Sequence, residues 1–241
     1  MSRTPDLLVD ESLAPVVRFE GVRLAGGQDD AARAISFSIR PGGLHLLTGP
    51  SGAGKTAVLD LIGLAERHGR GRIELFGRDV TRLRAREIPL IRRRIGRVFQ
   101  DLRLDDDLNA FDNVALAVRA TGRDARDSRH QIAEVLAWLG LTEQMDKRPK
   151  RLSPLDQRRL AIARAVINRP TMIVADEPTG DLDGKAAAAV WRPLIDINRV
   201  GTTVLIATRR TDTPADAGAT VISLAPVTPP PPALTPEETA P

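Results

Sequence analysis

The stretch GPSGAGKT, from Gly49 to Thr56, constrains this chain more than any other. A compact apolar run, Leu44 to Thr48, precedes it, and an apolar stripe at helical spacing (Val58, Leu59, Ile62) follows between Lys55 and Ala65. Strand, glycine-rich turn and helix in that order form the setting in which this pattern cradles phosphate. Gly49, Gly52 and Gly54 let the backbone curl around Pro50, Ser51 and Ala53 so that successive N–H groups face an anion. The helix that opens near Lys55 adds the positive end of its dipole. In such a loop Lys55 reaches the β- and γ-phosphates of ATP, and Thr56 offers its hydroxyl to Mg²⁺.

A second signal lies far along the chain. Met172-Ile173-Val174-Ala175-Asp176-Glu177 is an apolar run that ends in two carboxylates. Carboxylates at the C-terminal end of a parallel strand share an edge with the phosphate loop, where ligands of such sheets bind. Asp176 is then placed to hold Mg²⁺ through water, and Glu177 to polarise an attacking water. An acidic pair means little alone and much more beside a phosphate loop.

Further strands are predicted at Val16 to Glu20, Arg33 to Ile39, Arg72 to Phe76, Ile95 to Phe99, Thr203 to Ala207 and Val221 to Leu224. Helices are predicted at Asp112 to Ala120, Ala125 to Leu139, Ser153 to Asn168 and Gly184 to Asn198. Pro193 is expected to kink the last of these, and Trp138 to be a core residue. Strands alternating with helices imply an α/β fold of the P-loop type with a mainly parallel core sheet. The early strands would form an antiparallel flank, and the helix-rich stretch from about 100 to 168 a lobe of its own. Residues 1–15 read as a flexible start and 16–224 as one nucleotide-binding domain. Residues 225–241, APVTPPPPALTPEETAP, have too few apolar groups to offset ordering entropy and read as a disordered tail.

Composition narrows the function classes. With no cysteine among 241 residues there is no thiolate metal site, disulfide or cysteine nucleophile. No apolar run reaches the roughly 18 residues that span a bilayer. The formal net charge is only +4 although Lys and Arg number 35. Eight of the arginines fall between Arg78 and Arg97 without an interleaved stacking platform, so nucleic acid is not expected as a partner. The acidic run Asp105-Asp106-Asp107 reads as a solvated loop.

The order of the motifs resembles the ABC ATPase family. Gln100 in IGRVFQD is similar to the family's Q-loop, which senses Mg²⁺ and touches a membrane partner. LSPLDQRRLAIARAVINRP stands at the place of the family signature, the Asp176-Glu177 strand follows, and Thr179-Gly180-Asp181-Leu182-Asp183 resembles the loop that crosses the dimer interface. Within the family, Asp79 to Asp101 resembles the cell-division branch, FtsE, supported by Asp112 to Val118, Ala163 to Pro170 and Ala175 to Asp183. Relatives that extract lipoproteins or export macrolides share the last two motifs. The resemblance implies a homodimer with composite ATP sites, held on the cytoplasmic face of the bacterial inner membrane by an FtsX-like integral subunit.

Four features depart from the family pattern. Where the signature begins LSGG, this chain has Leu152-Ser153-Pro154-Leu155. Ser153 can still cap the helix, Pro154 suits its first position and Asp156 completes a capping box. In the family, however, this helix start binds the γ-phosphate held by the other subunit. Pro154 removes a backbone donor there and Leu155 adds bulk. At the place of the switch histidine stands Arg209, which can neutralise γ-phosphate charge but cannot exchange a proton near neutrality. Arg210 follows where the family usually has Asp, and His45, His68 and His130 do not fit the switch role. The adenine-stacking tyrosine expected shortly after Val22 is absent, and Phe19, just before that place, reads as core. The acidic run after Gln100 is the fourth. Three readings stay open: an ATPase, with weakened hydrolysis, that drives an FtsX-like membrane partner; a nucleotide-binding scaffold that has lost hydrolysis; or the ATPase subunit of a related lipoprotein- or macrolide-type exporter.

Overall fold

The computed structural model describes residues 14–24, 34–66, 70–209 and 218–224. The expectations for residues 1–13, His68, Arg210 and the 225–241 tail lie outside these. Two sheets organise the described chain. Strands β1 (Val17–Arg23), β2 (Ala34–Ile39), β4 (Arg72–Leu75) and β5 (Arg78–Asp79) form an antiparallel sheet in the order β2-β1-β4-β5. Strands β3 (Leu44–Thr48), β6 (Ile95–Val98), β7 (Met172–Asp176), β8 (Thr203–Thr208) and β9 (Thr220–Ser223) form a parallel sheet in the order β6-β7-β8-β3-β9.

Central strands buried on both faces read as continuous apolar runs, and β7 and β8 are buried at every position. Their side chains still alternate between two cores. Leu44, Leu46, Ile173, Ala175, Val204 and Ile206 join the core built with α3 (Ala110–Arg119), α4 (Arg129–Trp138), α5 (Pro154–Val166) and α6 (Gly184–Arg199). Leu47, Met172, Val174, Leu205 and Ala207 join the core that holds α1 (Lys55–Ile62) and the inner face of the antiparallel sheet, Phe19 included. Glycine at position 96 lets β6 approach α5, since a Cβ there would lie 2.3 Å from the Ala165 carbonyl oxygen.

Some expectations need correction. Trp138 is 47% exposed, because α4 turns Ile132, Leu136 and the following Leu139 inward and position 138 falls off that stripe. The two-residue β5 and the short helix α2 (Ile88–Arg92) interrupt the arginine-rich stretch, where no periodic apolar pattern marks them.

Candidate functional site

Four strand ends meet at one edge of the parallel sheet. Because β3, β6, β7 and β8 run in the same direction, the segments that leave their C-termini emerge together: the 49–56 loop after β3, Gln100 beyond β6, Asp176 and Glu177 at the end of β7, and Arg209 directly after β8. Registry places Val98 beside Ala175, Asp176 beside Ala207, and Thr48 beside Thr208. Residues more than a hundred positions apart thus share one face.

The 49–56 loop is shaped as an anion cradle. Gly49 adopts φ 154° and Gly54, the residue before α1, φ 89°. A Cβ at Gly49 would lie 2.8 Å from the Leu224 carbonyl oxygen, so the loop can pack under β9 only without a side chain there. Helix α1 begins at Lys55, and helix geometry leaves its first N–H groups without intrahelical acceptors. The buried Lys55 ammonium donates to the Gly49 carbonyl at 2.8 Å and the Pro50 carbonyl at 3.0 Å. It therefore spans the mouth of the loop, where an incoming phosphate would exchange with those carbonyls.

Thr56 Oγ1 donates to Asp176 Oδ2 at 2.7 Å, joining the cradle to β7. Burial pushes the Asp176 carboxyl above its ordinary range; the Thr56 bond, Lys55 and Arg97 pull it back and Asp60 adds to the rise. A hydroxyl and a carboxylate this close are hard oxygen donors suited to Mg²⁺. No group of three acidic, histidine or cysteine side chains able to hold a metal gathers among the described residues, so a cation here would take most of its ligands from phosphate and water.

Glu177 is buried, takes φ 42°, and donates its N–H to the Ala207 carbonyl at 2.9 Å. Positive φ in a side-chain-bearing residue costs of the order of 1–3 kcal/mol and tends to mark functional sites. Its Oε1 accepts from Arg209 Nε at 3.2 Å. Gln100 is exposed on the turn after β6. That turn is pinned by the Leu102 N–H to Phe99 carbonyl bond at 3.0 Å and by Arg164 of α5, which donates to the carbonyls of Leu102 and Arg103.

Ser153 belongs to a different element. It caps α5, accepting from the Asp156 N–H at 3.1 Å and donating to Asp156 Oδ2 at 2.7 Å, with Pro154 in the first turn. The serine half of the expected capping box is present, while the Asp156 carboxylate binds the Ser153 hydroxyl instead of closing the box on the Ser153 N–H. Two positioning residues had no sequence signal: Arg164, and Arg158, whose guanidinium reaches from α5 to the Pro178 carbonyl at 3.3 Å, one residue past Glu177. Leu24 also went unnoticed: a Cβ on Gly54 would lie 2.5 Å from its Cδ1, so an apolar side chain covers the loop two residues beyond Val22.

Comparison with known proteins agrees with this geometry. Residues 32–180 match the ABC transporter family model. The chain is 43% identical over 195 residues to the cell division ATP-binding protein FtsE of Escherichia coli K12, covering 80% of this chain and 87% of that one. It is 39% identical over 178 residues to FtsE of Bacillus subtilis (74% and 78% covered). To the lipoprotein-releasing system ATP-binding protein LolD of Novosphingobium aromaticivorans it is 40% identical over 200 residues (80% and 89% covered). The dimeric, ADP- and phosphate-bound structure of the ATP-binding cassette MJ0796 superposes with a TM-score of 0.77 at 30% identity, covering 86% of this chain and 94% of that one.

Proposed function

Since the chain belongs to the ABC transporter family as an ATP-binding subunit of the FtsE kind, we propose that it works as a homodimer that couples ATP binding, and weakened hydrolysis, to an FtsX-like integral membrane subunit in cell division. The observation that carries the reading is the 2.7 Å bond from Thr56 to Asp176, which joins a phosphate cradle to the acidic end of β7. Gly49 to Thr56 wrap the phosphates and Lys55 takes the β/γ charge. Thr56, Asp176 and Gln100 would hold Mg²⁺, which would supply charge neutralisation on the transferring phosphoryl group. Glu177 orients and polarises the attacking water. Ser153 reaches the phosphate of the opposite subunit from the start of α5, and Arg209 offsets charge on the γ-phosphate.

No helix among the described residues is long and apolar enough to cross a membrane. Placement on the cytoplasmic face of the inner membrane therefore falls to the partner, and floatation with and without an FtsX-like subunit tests it. The likeness to LolD supports a lipoprotein-releasing role as the second reading.

Titration of a fluorescent ATP analogue into Lys55→Ala tests the site itself. Loss of the main β/γ contact should reduce affinity at least a hundredfold while the fold survives, in line with about 1.5–3 kcal/mol for each charge-assisted hydrogen bond. Unchanged affinity in a folded variant would remove the 49–56 loop from the reading.

A further inference from the structure

We propose that Arg209 is a latch on Glu177, released by the terminal phosphate of a triphosphate and left closed by a diphosphate. The inference rests on the nucleotide-binding reading above and adds to it a control of the catalytic carboxylate. Three observations carry it. Arg209 Nε and Glu177 Oε1 stand 3.2 Å apart, joining the residue after β8 to the residue after β7. The strand order β7-β8-β3 puts the root of Arg209 between Glu177 on one side and the phosphate loop on the other. The two partners also differ in freedom: the Glu177 side chain is 8% exposed and its backbone is tied to Ala207, whereas the Arg209 side chain is 55% exposed. The carboxylate is fixed and the guanidinium can pivot.

Arginine keeps its charge at every working pH, so protonation cannot open this pair and a competing anion can. A γ-phosphate in the neighbouring cradle is such an anion, with oxygens that match a guanidinium fork. ADP ends at the β-phosphate, which Lys55 and the loop N–H groups already serve. While the latch is closed, a guanidinium occupies an oxygen that Glu177 needs for water. Once a triphosphate draws Arg209 away, that oxygen is free. Breaking the pair is a toll on triphosphate binding alone, because apparent affinity falls with the fraction of protein in the competent state.

The test uses binding, without turnover. Affinities for Mg²⁺-ADP and for a non-hydrolysable Mg²⁺-ATP analogue are measured in the wild type, Glu177→Gln, Arg209→Gln, Arg209→Lys and the Glu177→Gln/Arg209→Gln double variant. Glu177→Gln should tighten the triphosphate analogue about tenfold and leave ADP within twofold, because the toll is gone. In the Arg209→Gln background the same change should give no gain. Arg209→Lys should restore part of the triphosphate preference that Arg209→Gln loses. A gain that persists without Arg209 would mean simple relief of charge repulsion by Glu177, and a gain shared by ADP would mean a general loosening of the site; each overturns the latch. Melting temperatures of the same nucleotide-free variants form a double-mutant cycle. Strictly additive effects show that the pair does not form and also overturn it. If the cycle shows coupling but the wild type binds neither nucleotide, the nucleotide-binding reading falls, and the latch falls with it for want of a key.

Discussion

Replacing Pro154 and Leu155 by glycine separates two demands placed on the start of α5. Stability favours the residues now present. Pro154 stands in the first turn, the Ser153–Asp156 hydrogen bonds cap the helix around it, and Leu155 packs against the core of the helical lobe. Two glycines should cost up to about 1 kcal/mol each in helix propensity. Losing the partly buried leucine should cost about 1–2 kcal/mol more. For a domain of this size each kcal/mol lowers the melting temperature by about 2–4 °C, so the variant should melt roughly 5–15 °C lower. Transition-state stabilisation across the dimer favours glycine. Position 154 regains a backbone N–H, position 155 loses its bulk, and each donor restored to developing phosphate charge is worth of the order of 3 kcal/mol, or about a hundredfold in rate. The expected signature is a less stable protein with a much higher kcat and little change in ATP affinity of the isolated monomer. Phosphate release with the membrane partner, scanning calorimetry and equilibrium titration read the three quantities, with Glu177→Gln as the blank that should abolish turnover. If the wild type with its partner already hydrolyses ATP as fast as the double-glycine variant, the erosion argument is wrong.

Two further outcomes follow from the same edge of the sheet. The folded-state pKa of Asp176 is raised by burial, so the stability it allows is fully present below the unfolded carboxyl value and is lost as pH rises through the folded value. In the nucleotide-free protein Asp176→Asn should therefore raise the melting temperature at neutral pH, by an amount that shrinks in acid; a gain that grows in acid would contradict the assignment. Gly96→Ala forces a Cβ to within 2.3 Å of the Ala165 carbonyl oxygen, and overpacking of this kind costs about 1–3 kcal/mol. A melting temperature within one degree of wild type would show that β6 and α5 separate freely.

The parts of the fold legible in the sequence are those with a local cause. The apolar runs of β7 and β8, the glycines around Lys55 and the helical stripe of α1 each carry their own period, and each lies where expected within a few residues. What stayed hidden depends on strand order or on long side chains reaching across elements. Nothing in the linear order says that β8 lies between β7 and β3, so the meeting of Arg209 with Glu177 could not be read. Arg164 on the carbonyls of Leu102 and Arg103, and Arg158 on that of Pro178, look in sequence like two more arginines in an arginine-rich chain. Trp138 misled because a large apolar residue in a helix suggests burial until the inward stripe through Ile132 and Leu136 is drawn.

Where local rules and the family pattern disagree, the disagreement locates the demand that changed. At Ser153 every local rule is met: cap, proline in the first turn and acidic partner agree, and the structure contains all three. The serine hydroxyl that the family turns toward a phosphate donates here to Asp156 Oδ2, a bond it has to leave before it can reach one. On the proposed function, the half of the site offered to a second subunit thus favours helix stability, while the half around the phosphate loop keeps Lys55, Thr56, Gln100, Asp176 and Glu177. A chain that had abandoned nucleotide altogether would have no reason to keep the strained φ of Glu177 or the buried, desolvated Asp176, each of which costs stability without a ligand. On the proposed function, costs kept on one side and relaxed on the other make the joining of two subunits over nucleotide the step that the double-glycine variant should speed.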